Sequence, residues 1–434
     1  MKSRLLALAF AVAAFAPSAS AEDAVLYQYR AGMIRDGASG AVAQLQAAMN
    51  PALAACGIDK VLQPDGAFGP GTRSAITQLS ACEAVSARLE PDSPARSGAI
   101  TAALWQVLLP GTPLPDVDTR AAALKLTFEA TDYDRMEWNY CQSSPRYNPE
   151  EGQPVCYSND RASYITWGPN GATAGHGREV QAILNAFLAA KPETSGAELD
   201  AAFGSEAPAV RRMLELNDAN ADSPLEIYLC GVWMDPARRA AWKVGFKTFG
   251  TIPAVGEIYR DVYQSQSFDG GKIATFYKVW TSPEFALPVT EIDHAFFVDR
   301  STQMSISGPA LTSALRTLKA ERGEAWPPSP ADVRRHIALN VRASNKAVVA
   351  DRLGRDLAFY AAQIGADALT DEERSAEKRG RPNADDLGLS DARVMPAFSP
   401  TPTLPHPMPA GTVTPDEAAM CPVAVLAPQL PPKK

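Results

Sequence analysis

The chain has no cysteine pair in a CxxC or other metal-ligand spacing, so no metal centre or other cofactor is expected. Beyond residue 21 it has no uninterrupted apolar run near the roughly 20 residues that a membrane-spanning helix needs. It also has no basic stripe. Together with a net charge of -8, that argues against nucleic acid as a partner. No internal repeat interrupts the 434 residues, a length that accommodates two domains.

What the chain does have begins at residue 1. Lys2 and Arg4 precede an apolar run from Leu5 to Ala16, and Ala19-Ser20-Ala21 follows as a small-residue cleavage site. This predicts a signal segment over 1–21, cut after Ala21, and a secreted or periplasmic protein. An even set of cysteines, Cys56, Cys82, Cys141, Cys156, Cys230 and Cys421, suits disulfides in that compartment. Pairing neighbours costs least loop entropy, giving Cys56 with Cys82, Cys141 with Cys156, and Cys230 with Cys421.

Periodicity divides the remainder into a mainly helical (α+β) arrangement. Residues 22–112 hold three short helices: Val42, Leu45 and Met49 mark the first, Ala75, Ile76 and Leu79 the second, and Leu104, Val107 and Leu108 the third, with Thr101 as N-cap. Between the first two lies "PDGAFGPGT", a turn whose glycines permit positive φ while Phe68 plugs the core. A proline-rich linker, 113–119, leads to a second folded region over 120–395. Its clearest helical segments are "AALKLTFEA", "GREVQAILNAFLAA", "DPARRAAWKVGF", "SALRTLKAE" and "RLGRDLAFYAAQI". Residues 396–434 turn proline-rich and read as an extended tail, tied back through Cys421.

The chemistry concentrates in 119–190. "TRAAALKLTFEATDY" is a helix with Leu124 and Phe128 on one face, so Glu129 falls near its C-terminal end. The negative end of the helix dipole and apolar neighbours there favour the protonated acid, which suits a proton donor. Downstream, "DRASYIT" alternates as a strand opened by Asp160, and "GPNG" makes a hairpin turn. A glycine-rich return holding His176 and Arg178 enters a helix with Val180, Ile183, Leu184, Phe187 and Leu188 on one face. Asp132, Asp134 and Glu137 are rival second carboxylates. Tyr164, Trp167 and Trp138 would stack on sugar rings if exposed, and pack a core if not. His176 either binds sugar or is a hydrogen-bonded structural residue. Glu179, Asp235 and His294 read as structural, the last as a core residue and Asp235 as an N-cap.

Two resemblances follow from these motifs. Gly40-Ala41-Val42-Ala43-Gln44-Leu45-Gln46 and Asp65-Gly66-Ala67-Phe68-Gly69-Pro70-Gly71-Thr72 make the first unit similar to the peptidoglycan-binding domains of bacterial wall hydrolases. The order of a helix ending in Glu129, a hairpin opened by Asp160, and a buried helix resembles the lysozyme superfamily. Asp160 and Thr166 keep the Asp-to-Thr spacing of phage-type lysozymes, while Asp160 to Tyr164 and "ATAGHGREVQAILNAF" match the spacing of chitosanases. The resemblance implies a glycoside hydrolase with Glu129 as general acid, Asp160 as second carboxylate and Thr166 holding a water, with Tyr164, Trp167, His176 and Arg178 near the sugar. The implied partner is peptidoglycan or a related amino-sugar polysaccharide. Two departures stand out: the 129–160 insertion is much longer than in phage lysozymes, and Arg178 stands where chitosanases carry an acid. A chitosanase and a non-catalytic wall-binding protein are the alternatives.

Overall fold

The computed structural model describes residues 23–30, 32–129, 133–138, 163–175, 178–218, 223–266, 268–341, 346–377, 381–401 and 408–421. The signal segment, Asp132, Cys141, Cys156, Asp160 and His176 lie outside the described residues.

Helix α1 (Ala41–Ala55) buries Val42, Leu45, Met49 and Leu53, the stripe that its 3.6-residue spacing dictates. Proline at the first position opens α2 (Pro70–Ala81), where Ala75, Ile76 and Leu79 face inward. A single turn, α3 (Glu83–Ser86), precedes α4 (Ala102–Leu108), and Thr101 Oγ1 caps α4 by accepting from Leu104 N at 3.2 Å. In the turn between α1 and α2, Gly66 has φ 71°, and a Cβ there would fall 2.1 Å from the Gly37 carbonyl oxygen. Only glycine fits. Phe68 fills the core below it, and Cys56–Cys82 ties the ends of α1 and α2. Two small antiparallel pairs complete this module: β1 (Val25–Tyr27) with β4 (Ile100–Thr101), and β2 (Ile34–Arg35) with β3 (Ala67–Phe68). Strands of two or three residues are too short to leave a period in the sequence.

After the proline-rich segment, α5 (Val117–Glu129) runs into a three-stranded antiparallel sheet of order β5-β6-β7. Its strands are β5 (Met136–Trp138), β6 (Ser163–Trp167) and β7 (Ala172–Gly175). The expected hairpin turn lies between β6 and β7, with Gly168 and Gly171 at φ 76° and 68°. Tyr259 clamps it: its hydroxyl accepts from Asn170 N and Ala172 N and donates to the Trp167 carbonyl at 3.0 Å. The sheet then feeds α6 (Glu179–Ala190), which buries Val180, Ile183, Leu184 and Phe187.

Further helices follow, among them α7 (Ser195–Phe203), α8 (Ala207–Glu215), α9 (Pro224–Met234), α10 (Pro236–Gly250), α11 (Pro253–Arg260), α12 (Gly270–Trp280), α13 (Glu291–Thr302), α14 (Gly308–Arg322), α15 (Pro330–Asn340) and α16 (Lys346–Asp356). Asp235 caps α10 as expected, accepting from Ala237 N and Arg238 N. The segment after α16 breaks into a 3-10 turn and a four-residue helix, where the sequence suggested one continuous helix.

The apolar cores do not follow the linker. One joins Tyr27, Leu45, Phe68 and Trp105 of the N-terminal module to Leu124, Phe276, Phe296, Phe359 and Leu387. A second gathers Leu126, Trp167, Ile183, Trp242, Phe249, Tyr259 and Cys421, and a smaller third holds Ala331, Leu353, Leu357 and Tyr360. Helix α5 supplies the reason, because Leu124 and Phe128 point into the first cluster while Leu126, on another face, points into the second. The tail is also more ordered than an extended chain. Gly411 bridges to Leu216, a short helix (Pro415–Ala419) is capped by the Thr414/Glu417 box, and Cys421 bonds Cys230.

Three aromatic residues that could have met sugar are core instead. Trp167 is fully buried against Phe246, Phe249 and Tyr259; Tyr164 and Trp138 are buried as well. Buried positions of the sheet alternate with half-buried Glu137, Thr166 and Thr173, which are cross-strand neighbours on its other face. His294 is buried as expected.

Candidate functional site

Glu129 is the last residue of α5, and its carboxylate opens on a cleft of about 400 Å³. Thr166 and Glu137 line the same cleft from neighbouring strands, paired directly across β6 and β5. Arg135, the β6–β7 turn from Gly168 to Gly171, and Thr302 and Gln303 at the end of α13 form the rest of the wall. The site therefore brings together two of the three residues expected to act, Glu129 and Thr166. The third, Asp160, lies outside the described residues, as does His176. Among described residues the carboxylates on this cleft are Glu129 and Glu137, the latter 3.3 Å from Lys243 Nζ.

Behind Glu129 the surroundings differ from the apolar ones expected. Its Oε1 accepts from Arg355 Nη1 at 2.6 Å. Arg355 also grips Asp299, which is gripped in turn by Arg352. Arg352 lies 2.7 Å from Asp356, and Arg300 closes the chain on Asp356 at 2.6 Å. Asp299, Arg300, Arg352, Arg355 and Asp356 are all buried. Burial alone would raise the Asp299 carboxyl, but Arg352 and Arg355 outweigh it and hold Asp299 well below the usual carboxylate range. Buried charges persist only when paired in this way, and truncating one partner strands the other. The network also reaches the far wall of the cleft, where Arg352 Nη1 donates to Gln303 Oε1 at 3.2 Å. One set of ion pairs thus fixes Glu129 and Gln303 together.

Lys125, one helical turn before Glu129, is buried too. Its ammonium donates to Asn170 Oδ1 at 2.6 Å, pinning the hairpin turn to α5. Burial pushes this amine down to about 8, with Glu129 and Asp299 pulling weakly the other way. Sequence reading missed Lys125, Asn170, Asp299, Gln303, Arg352 and Arg355. A signal was present for some of them: Arg352, Arg355 and Asp356 occupy i, i+3 and i+4 positions in line with the buried Phe359, where an amphipathic helix would place apolar residues.

Arg178 sits elsewhere. It is the residue before α6, with φ 60°, and its Nε lies 2.9 Å from the buried Asp218 carboxylate. It is not among the residues lining the Glu129 cleft. Glu179 accepts from Thr173 N and Thr173 Oγ1, joining α6 to β7. Burial raises its carboxyl, an effect these bonds reduce.

The arrangement offers an open polar cleft, a carboxylate with one oxygen anchored, a second carboxylate across the sheet edge, and hydroxyl and amide groups between them. Among described residues no cluster of histidine, cysteine, aspartate and glutamate could hold a metal ion, and no helix is long and apolar enough to cross a membrane. The chain matches no protein-family model, no curated protein and no solved structure.

Proposed function

We propose that the chain is an exported glycoside hydrolase that cleaves β-1,4 bonds in the glycan strands of peptidoglycan. The observation that carries this reading is the shared cleft: a helix ending in Glu129 delivers its carboxylate opposite Thr166 on the three-stranded sheet that follows. That order of helix, small sheet and helix is also what supports the resemblance to the lysozyme superfamily. The N-terminal module, similar to peptidoglycan-binding domains, supports the choice of polymer.

In this reading Glu129 gives a proton to the leaving glycosidic oxygen as the bond from that oxygen to the anomeric carbon breaks. Water adds to the carbon and yields its proton to the second carboxylate. Oε1 of Glu129 is held by Arg355, which leaves Oε2 for the transfer. Arg355 then neutralises the charge left behind. Thr166 holds the water, and Asp160 is the second carboxylate. Glu137 is the competing choice because it lines the cleft from β5.

The ion pair between Glu129 and Arg355 is the observation that favours the other reading, a wall-binding protein without hydrolysis. A proton donor is better served by apolar neighbours than by a guanidinium. The mature protein and its Glu129→Gln variant, incubated with purified peptidoglycan and with chitosan, decide between the readings. New reducing ends from peptidoglycan, lost in the variant, are expected. Release from chitosan alone would reassign the substrate, and pull-down by peptidoglycan without any release would replace hydrolysis with binding.

A further inference from the structure

A second cavity, of about 260 Å³, lies apart from Glu129 at the seam between the N-terminal module and the second core. The loop before α1 supplies Asp36 and Ser39, the proline-rich segment supplies Thr112 to Asp116, and α11 with the turn after it supplies Gly256, Glu257, Arg260 and Gln264. Trp105, Tyr133 and Tyr259 give it an apolar side.

Its polar groups are not satisfied by the protein. Ser39 Oγ and Gln264 Oε1 are buried with no hydrogen-bond partner among the described residues, and their residues are only 7% and 4% exposed. Buried polar atoms are nearly always paired, so two such atoms on one cavity mark a place for a ligand's donors. The charges on this cavity are also unspent. No hydrogen bond or ion pair within the described residues engages the side chain of Arg260 or of Glu257, though both stand on α11, three residues apart. The field of Arg260 reaches Asp118 and Tyr27, yet neither bonds it. Asp36 and Asp116, by contrast, already accept from backbone amides at Val42 and Thr119.

We propose that this seam cavity binds a small zwitterion, an α-amino acid or the free end of a short peptide. The carboxylate pairs with Arg260, the ammonium group takes Glu257 and the Gln264 carbonyl oxygen, and the side chain rests against Trp105 and Tyr133. A guanidinium suits a carboxylate because its planar fork matches both oxygens. The volume sets the size, since pockets for drug-sized ligands start near about 300 Å³. The inference does not depend on hydrolysis at the Glu129 cleft.

Calorimetric titration of the full mature chain with alanine of either hand and with alanylalanine tests this, with N-acetylalanine and alaninamide as probes that each lack one charge. Saturable one-site binding by at least one zwitterion is expected, weakened about tenfold when either charge is capped and about tenfold in Arg260→Gln. Because Arg260 makes no bond among the described residues, the thermal midpoint of the unligated variant should match the wild type. Should that variant fail to fold, Gln264→Leu, which removes an unpartnered carbonyl, carries the same expectation. No binding of any zwitterion, equal binding of a capped probe, or undiminished binding by the folded variant would each overturn the assignment.

Discussion

Replacing Lys125 with methionine should make the protein more stable at neutral pH, and less so as pH rises. The amine is fully buried and its pKa falls from 10.5 to about 8. An unfolded chain therefore holds the proton more tightly than the folded one over the window from about 8 to 10.5. Below that window both states are protonated and the folded state carries the whole penalty; above it neither is, and the penalty is gone. At 1.36 kcal/mol per pKa unit, the 2.5-unit difference between 10.5 and about 8 is worth about 3 kcal/mol at pH 7. Losing the bond to Asn170 returns about 1 kcal/mol, so the net gain at pH 7 is about 2 kcal/mol. Between pH 7.5 and 9.5 the wild type should recover about 2 kcal/mol relative to the variant, since the amine loses its proton first in the folded state. Urea unfolding followed by tryptophan fluorescence at several pH values gives both curves, and their difference removes the contribution of other titrating groups. A difference that stays constant with pH would refute the reasoning.

Asp299→Asn should cost about 3–5 kcal/mol, because Arg352 and Arg355 would be left buried without their shared carboxylate. The loss is read from the same urea curves, and an unchanged midpoint would mean that water reaches the network. Gly245→Ala places a Cβ 2.2 Å from the Phe203 ring and should destabilise by about 1–3 kcal/mol, visible as a lowered thermal midpoint. Cys230→Ala opens a crosslink that spans 191 residues and should cost roughly 5 kcal/mol by chain entropy, with limited proteolysis cutting first between 408 and 421.

Much of the local structure was legible because it follows from periodicity and capping alone. Val42, Leu45 and Met49 face inward on α1, Thr101 caps α4, and a glycine turn joins β6 to β7. Two disulfides, Cys56–Cys82 and Cys230–Cys421, follow the loop-entropy pairing; the third pair lies outside the described residues. Legibility stops where structure depends on partners distant in sequence. Strand β5 is three residues long and exists through β6. The fate of Trp167 was decided by Phe246, Phe249 and Tyr259, far along the chain, and no local pattern tells a stacking platform from a core residue. At the cleft, the helix end announced Glu129, but Arg355 reaches it across 226 residues of chain. The charged face of α16 was visible as a pattern; its partner was not.

The two larger cores are interleaved along the chain, and this constrains the order of assembly. The first needs Tyr27 and Leu45 to meet Phe359 and Leu387, while the second forms from residues between those ends and is latched by Cys421. An emerging chain can make α1, α2 and their disulfide early. It cannot close the first core until nearly all of it has been delivered, so the apolar surface of α1, α2 and α5 that belongs to that core stays uncovered for most of that interval. Such a protein should lean on a chaperone that holds unfinished chains and on an oxidant that acts late, after the second cluster has brought Cys230 and Cys421 together.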